Sequence, residues 1–164
     1  VTAVVSTVAE PLLSLLRTEE DLRSRHPELG WIHLVAHLGD CVDELFELDL
    51  DASLSDELAA GLVDVVLRRE RELYAFGEYD RVAYALATAL VNGRITVGRL
   101  RELVDPAGCA EREFSDVPRT VVRANHARAL LRALHAQVVA RRGGPELADG
   151  VLGAGLELVR TLPA

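Results

Sequence analysis

The sequence contains neither Lys nor Met, and all 18 of its basic residues are Arg. Ala, Val, Leu and Gly are abundant alongside this exclusive use of Arg. The combination is typical of proteins from GC-rich bacteria, and we expect an actinobacterial source. It reflects codon composition, so it carries no information about the chemistry of the protein.

Cysteine and long apolar runs are also scarce. Cys41 and Cys109 are the only two Cys, too few for a disulfide framework. No apolar run approaches the roughly 20 residues that cross a bilayer. The first residues lack the basic start and the small-residue cleavage site of a signal peptide. We therefore expect a cytoplasmic protein without a membrane partner.

Charge is unbalanced, since 26 acidic residues against 18 Arg give a formal net charge of −8. A surface of this sign disfavours nucleic acid as a partner. Residues 117–145 are an exception, because they contain six Arg and no acidic residue. We expect neighbouring acidic faces to neutralise this segment. The alternative is a phosphate or nucleic-acid site on one sector of a helix, formed by Asn125, Arg128, Arg132 and His135.

Helical periodicity covers most of the chain, whereas strand patterns are weak. Pro11 either kinks the first helix or starts a second piece, and Ser53 or Ser55 is the expected N-cap of the third helix, which ends near Tyr74. The other predicted helices cover residues 3–17, 31–47, 78–92, 97–104, 116–142 and 146–162. Residues 1–164 are thus predicted to form one all-α domain of about seven helices. The expected arrangement is a compact stack of antiparallel helical hairpins or a helix bundle.

The second predicted helix carries two imidazoles and a carboxylate, at spacings of four and three residues: His33, His37 and Asp40. At about 100° per residue, this polar stripe lies opposite the apolar stripe that begins at Trp31. The histidines are therefore not incidental core residues. Their stripe faces either water or a polar cavity.

Two His four residues apart on a helix could clamp a metal ion, with Asp40 as a third ligand. The catalytic Glu of a metalloprotease motif is missing, because Leu34 stands in its place, and no Cys joins the set. We therefore predict no bound metal. The expected chemistry is proton transfer, in which His33 or His37 is the general acid/base and Asp40 orients it.

Six of the seven aromatic residues lie between residues 31 and 84, which favours a pocket for an organic ligand. We expect Trp31 and Tyr84 to line this pocket together with Glu78 and Arg81, which lie three residues apart on one helical face. Arg81 either holds an anionic group of the ligand or pairs with Glu78. Motifs for nucleotide cofactors and for a catalytic nucleophile are absent, so no cofactor is predicted.

Two stretches, EEDLRSRHPELGWIHLVAHLGDCVDEL and GEYDRVAYAL, together resemble a bacterial domain-of-unknown-function family, number twenty-seven eighty-five. The resemblance covers about residues 10–105 and leaves out the two C-terminal helices predicted within 116–164. It implies an all-helical, HEAT-like fold and implies no reaction. The matching positions are Glu20, Asp21, Leu22, Arg23, Gly30, Trp31, His33, His37, Asp40, Gly77, Glu78 and Arg81.

These features predict a small-molecule enzyme or ligand-binding protein, with a place in bacterial specialised metabolism. The expected chemistry is of the isomerase, cyclase or lyase type. The alternative is a HEAT-like protein–protein interaction module without catalysis. An enclosed histidine site would favour the ligand, whereas exposed histidines beside an apolar patch would favour a protein partner. A homo-oligomer is compatible with both interpretations.

Overall fold

The computed structural model describes residues 2–69, 73–105, 119–141 and 143–161. A two-stranded antiparallel hairpin, β1 (Arg25–His26) and β2 (Gly30–Trp31), follows the first helix. The helices in these ranges are α1 (Thr2–Thr18), α2 (Leu34–Phe46), α3 (Ala52–Leu67), α4 (Glu78–Val91), α5 (Val97–Val104), α6 (Arg119–Ala140) and α7 (Pro145–Thr161). The predicted all-α class with about seven helices is confirmed.

Helix α4 lies at the centre of the fold, in contact with α2, α3 and α6. Four fully buried alanines lie on two opposite faces of this helix, and their small side chains let the neighbouring helices approach: Ala83, Ala85, Ala87 and Ala89. On α2, a Cβ added to Gly39 would lie 3.0 Å from the carbonyl carbon of Arg81. Only Gly permits this approach of two backbones. The close α2–α4 packing brings the first turns of both helices together.

Helices α6 and α7 pack against each other and are joined by a short turn. Gly144 has a φ of +85°, a left-handed conformation that suits Gly at the end of a helix. Pro145 then occupies the first position of α7, where its missing N–H costs no hydrogen bond. This hairpin ends the described part of the chain. Within that part, every helix is too short or too polar to serve as a membrane span.

The start of the second helix was predicted wrongly. Trp31 is not helical but pairs with Arg25 in the hairpin, which weak strand signals did not predict. The backbone N–H groups of Ile32 and His33 donate to the Ser24 carbonyl, at 2.9 and 3.2 Å. These bonds keep the chain out of the helix until Leu34. His33 itself precedes α2 in a left-handed conformation, with a φ of 48°.

Other helix boundaries also differ from the prediction. The third helix ends at Leu67 rather than Tyr74, and its N-cap is Asp51 rather than Ser53 or Ser55. The Asp51 side chain accepts a hydrogen bond from the Leu54 N–H at 2.8 Å, as an N-cap should. The remaining predicted helices are confirmed to within a residue or two at the ends that the structure describes. The predicted start of the basic helix at residue 116 lies outside the described residues.

The sequence left open whether Pro11 kinks the first helix or starts a second piece. Pro11 lies inside α1, which is one continuous helix rather than two pieces.

Candidate functional site

His33 and Glu78 face each other where α2 and α4 begin. The distance from His33 Nδ1 to Glu78 Oε1 is 3.7 Å, and the side chains are 26% and 1% exposed, respectively. This separation is too long for a hydrogen bond but within the range of an ion pair. Catalytic hydrogen bonds are often long before a ligand binds and shorten in the complex. The geometry therefore suits a carboxylate that positions an imidazole.

Glu78 is held in place by the start of its own helix. Its Oε2 accepts a hydrogen bond from the Phe76 N–H at 3.0 Å. The positive end of the α4 dipole also favours a negative charge in this first turn. Glu78 Oε1 is buried and has no hydrogen-bond partner among the described residues. Burying a carboxylate without full compensation costs free energy, and the adjacent imidazole is its available partner.

Two exposed aromatic side chains flank the imidazole. The Trp31 and His33 rings lie 4.9 Å apart, and Phe76 meets Trp31 edge-on at 4.6 Å. Trp31 and Phe76 nevertheless remain 57% and 51% exposed. An aromatic surface of this kind, open to solvent beside a polar pair, is typical of a ligand or partner contact.

Arg81 pairs with Asp40 rather than with Glu78. One Arg81 nitrogen lies 2.9 Å from Asp40 Oδ1, and the side chains are 61% and 43% exposed. The Asp40 carboxylate is thereby oriented toward a guanidinium. Among the described residues, it forms no ion pair with His33 or His37. The expected arrangement, with Asp40 orienting an imidazole, is not the one in the structure.

His37 lies on the first turn of α2 with an exposed side chain. Its backbone N–H donates to the His33 carbonyl at 3.0 Å, which begins the helical hydrogen bonding. The polar stripe predicted from helical spacing is therefore interrupted at His33, which lies outside the helix. Of the two histidines, only His33 lies against a carboxylate.

Tyr84 lies further along α4, in an acidic cleft of about 510 Å³ between α2, α4 and α6. The Arg141 guanidinium covers the Tyr84 ring at 3.7 Å and lies 3.7 Å from Asp43. The predicted neutralisation of the basic segment thus occurs at Arg141. The cleft is lined by Asp40, Asp43, Glu44, Asp80, Arg81, Tyr84 and Gln137.

The sequence analysis did not predict a buried cluster of His126, Tyr79 and Tyr74 next to the site. His126 of α6 is fully buried, and its Nδ1 lies 2.8 Å from the Tyr79 hydroxyl. That hydroxyl also accepts a hydrogen bond from the Tyr74 N–H at 3.2 Å. Burial lowers the pKa of His126 to about 4, and it raises the pKa of Tyr74 to about 12. The cluster anchors the segment that carries Phe76 and Glu78.

Within the described ranges, no group of three or more His, Cys, Asp or Glu side chains could hold a metal ion. Cys41, adjacent to Asp40, is an exposed free thiol.

The fold and site define an all-helical protein with a buried carboxylate against a partly exposed histidine. The chain belongs to a family described as proteins of unknown function, DUF2785, whose model matches residues 2–136. The match extends beyond the 10–105 that the motifs suggested and includes every residue of the His33–Glu78 site, while α7 lies outside it. No curated protein and no solved structure shows significant similarity to the chain.

Proposed function

We propose that the chain is a small-molecule enzyme in which His33 performs general acid/base catalysis and Glu78 orients it. The observation that carries this proposal is the nearly fully buried Glu78 carboxylate, which faces His33 Nδ1 at 3.7 Å. The reaction class is isomerisation, cyclisation or elimination, as part of bacterial specialised metabolism. Each of these reactions needs a proton removed from one atom and returned to another.

The proton balance follows from the positions of the two side chains. Glu78 favours a proton on Nδ1 of His33, which leaves a lone pair on Nε2. Nε2 accepts a proton from the substrate, and the buried carboxylate stabilises the resulting imidazolium. The imidazolium then returns that proton to the product or to its leaving group. No oxidant or co-reactant is required.

Substrate contacts would come from the surfaces around the pair. Trp31 and Phe76 offer exposed ring faces for an apolar part of the substrate. Arg81 is bound to Asp40 in a largely exposed ion pair, which contributes little to stability. A substrate carboxylate can therefore compete with Asp40 for the guanidinium.

The first test of the pair needs no substrate. We expect ¹⁵N NMR of the imidazole to show His33 with its proton on Nδ1 in the wild type. Glu78→Gln should remove this preference, because the amide can also donate toward the ring. Asp40→Asn is the matched control and should leave the His33 tautomer unchanged. A wild-type proton on Nε2, or equal effects of the two variants, would contradict the proposed role of Glu78.

A second test addresses catalysis directly. Small carbonyl compounds are incubated with the protein in D₂O, and deuterium incorporation next to the carbonyl is followed by NMR. General acid/base catalysis contributes about 10²–10⁴-fold to a rate. We expect His33→Gln to lose an effect of that size, and His37→Gln to lose little. Exchange that survives His33→Gln would exclude this residue as the base.

A protein–protein interaction module of the HEAT type is the second candidate. It is favoured by exposed apolar side chains in the two segments that carry the pair, namely Leu29, Trp31, Leu73 and Phe76. An interaction module should lose its partner on Trp31→Ala and retain it on His33→Gln, whereas the enzyme should lose activity in the second variant. A cytoplasmic location and a homo-oligomer belong to this same set of proposals, and sedimentation analysis would test the latter.

A further inference from the structure

A second concave surface lies between α6 and α7, away from the His33–Glu78 pair. This groove has a volume of about 220 Å³. Its floor is aliphatic, since Leu131 and Val151 are buried there. Leu152 and Leu156 stand one helical turn apart on α7 and remain 47% and 55% exposed. The groove therefore presents apolar side chains that no described residue covers.

One wall of the groove is basic. Arg128, Arg132 and His135 follow one another at spacings of four and three on α6, so they lie on one face. No Asp or Glu lines the groove, although the whole chain carries a net charge of −8. Among the described residues, neither arginine forms an ion pair. This wall is positive on an otherwise acidic protein.

Arg128 has a spare donor at this wall. One of its terminal nitrogens donates to Asn125 Oδ1 at 3.2 Å. Its Nε is buried and finds no hydrogen-bond acceptor in the described part of the chain. A buried donor without an acceptor costs free energy, and an anion in the groove would supply one.

We propose that this groove binds a small aliphatic carboxylate, with its chain along Leu152 and Leu156 and its carboxylate at Arg128 and Arg132. An apolar floor beside a cationic wall matches the two ends of such a molecule. The volume lies below the roughly 300 Å³ at which sites for drug-sized molecules begin, which favours a short chain. Guanidinium groups suit a carboxylate because they offer forked donors. The proposal is independent of the function of His33.

The charge requirement is tested with octanoate, octanol and octylamine, titrated into the full chain and followed by methyl NMR of the groove leucines. We expect octanoate to bind at least about tenfold more tightly than octanol, and octylamine not to bind. Arg132→Gln should weaken octanoate by about tenfold and leave octanol unchanged. Arg17→Gln, which removes the same charge from the exposed surface of α1, is the matched control.

The location is tested by filling the groove. A Cβ at Gly155 would lie 3.9 Å from the Leu131 Cβ, an ordinary contact, so a longer side chain would extend into the groove. Gly155→Leu should abolish binding of octanoate. Gly98→Leu makes the same change in α5 and should have no effect on binding. Circular dichroism tests whether each variant is folded.

Several results would overturn the proposal. Equal binding of octanol, or an equal weakening of octanoate binding by Arg17→Gln and Arg132→Gln, would show that octanoate binds only as a nonspecific detergent. Retained binding in folded Gly155→Leu would place the ligand elsewhere. Absence of saturable octanoate binding to the wild type would refute the site itself. Arg132 is exposed, so its variant keeps the test decisive even if Gly155→Leu fails to fold.

Discussion

Two polar pairs connect α2 or its N-cap to α4, and they differ in almost every physical respect. His33 and Glu78 are 3.7 Å apart, with the carboxylate almost fully buried, whereas Arg81 and Asp40 are 2.9 Å apart and largely exposed. The shorter pair contributes little to stability, because water screens both charges. The longer pair contains a desolvated carboxylate that lacks full compensation. Burial rather than distance is therefore the basis on which we propose His33 and Glu78 as the functional pair.

The largest expected effect is the loss of stability when a buried apolar side chain of α2 is truncated. Leu38 is buried, whereas the preceding His37 is exposed. We expect Leu38→Ala to lower the free energy of unfolding by about 2–5 kcal/mol, and His37→Ala to change it by less than about 0.5 kcal/mol. Urea denaturation measures both. A large loss on His37→Ala would show that this side chain is part of the core.

His126 extends the comparison to a histidine that is buried without a carboxylate. Burial lowers its pKa to about 4, so the folded state binds no proton on this ring between pH 6.5 and 4, while the unfolded state does. This difference lowers stability as the pH falls through that window, by on the order of 2 kcal/mol. His126→Gln should flatten the pH dependence of the free energy of unfolding in this window, because the titrating ring is removed. The Gln amide oxygen can still accept a hydrogen bond from the Tyr79 hydroxyl. His135→Gln is the control, and an equal flattening by both variants would contradict the assignment.

We expect the Glu78 carboxylate to lower the stability of the fold while it supports the proposed role of His33. Gln at position 78 keeps an acceptor for the Phe76 N–H and removes a buried charge. The imidazole that it faces is partly solvated and is not left as a stranded charge. We expect Glu78→Gln to raise the free energy of unfolding by about 1 kcal/mol while the preferred His33 tautomer is lost. Thermal melting with ¹⁵N NMR tests both parts, and a marked loss of stability would make the carboxylate structural.

The sequence predicted the helices better than it predicted the pairs. Apolar residues repeating every three to four positions mark α1, α4 and α5 closely, because burial of one face is what forms these helices. The hairpin before α2 was missed, since strands of two residues are too short to show alternation. Without it, Trp31 and His33 were assigned to a helix in which neither residue takes part.

The tertiary packing decides which side chains form ion pairs, and the spacing of residues along a helix does not predict that packing. Glu78 and Arg81 are three residues apart on α4, which predicted that they share a face and could pair. In the structure, Glu78 is directed toward His33 at the start of α2, while Arg81 reaches Asp40 two turns further along. The membership of Trp31, His33 and Glu78 in one cluster did follow from the motifs. Phe76 and His126 did not, because single aromatic and imidazole residues carry no spacing signal.

The smallest expected effect on stability is that of the exposed ion pair between Arg81 and Asp40. The same variants test whether Arg81 belongs to the site. Arg81→Lys and Asp40→Asn, made singly and together, should give a coupling energy of only about 0.2–1 kcal/mol that decreases with added salt. If the guanidinium also holds a substrate anion, Arg81→Lys should reduce binding or turnover by about tenfold, or 1.4 kcal/mol, because Lys lacks the forked donor set. Asp40→Asn should then have the opposite effect and strengthen binding, since it frees Arg81 for the substrate. Unaltered turnover in both variants would leave Arg81 and Asp40 as a surface ion pair and restrict the site to His33, Glu78 and their aromatic neighbours.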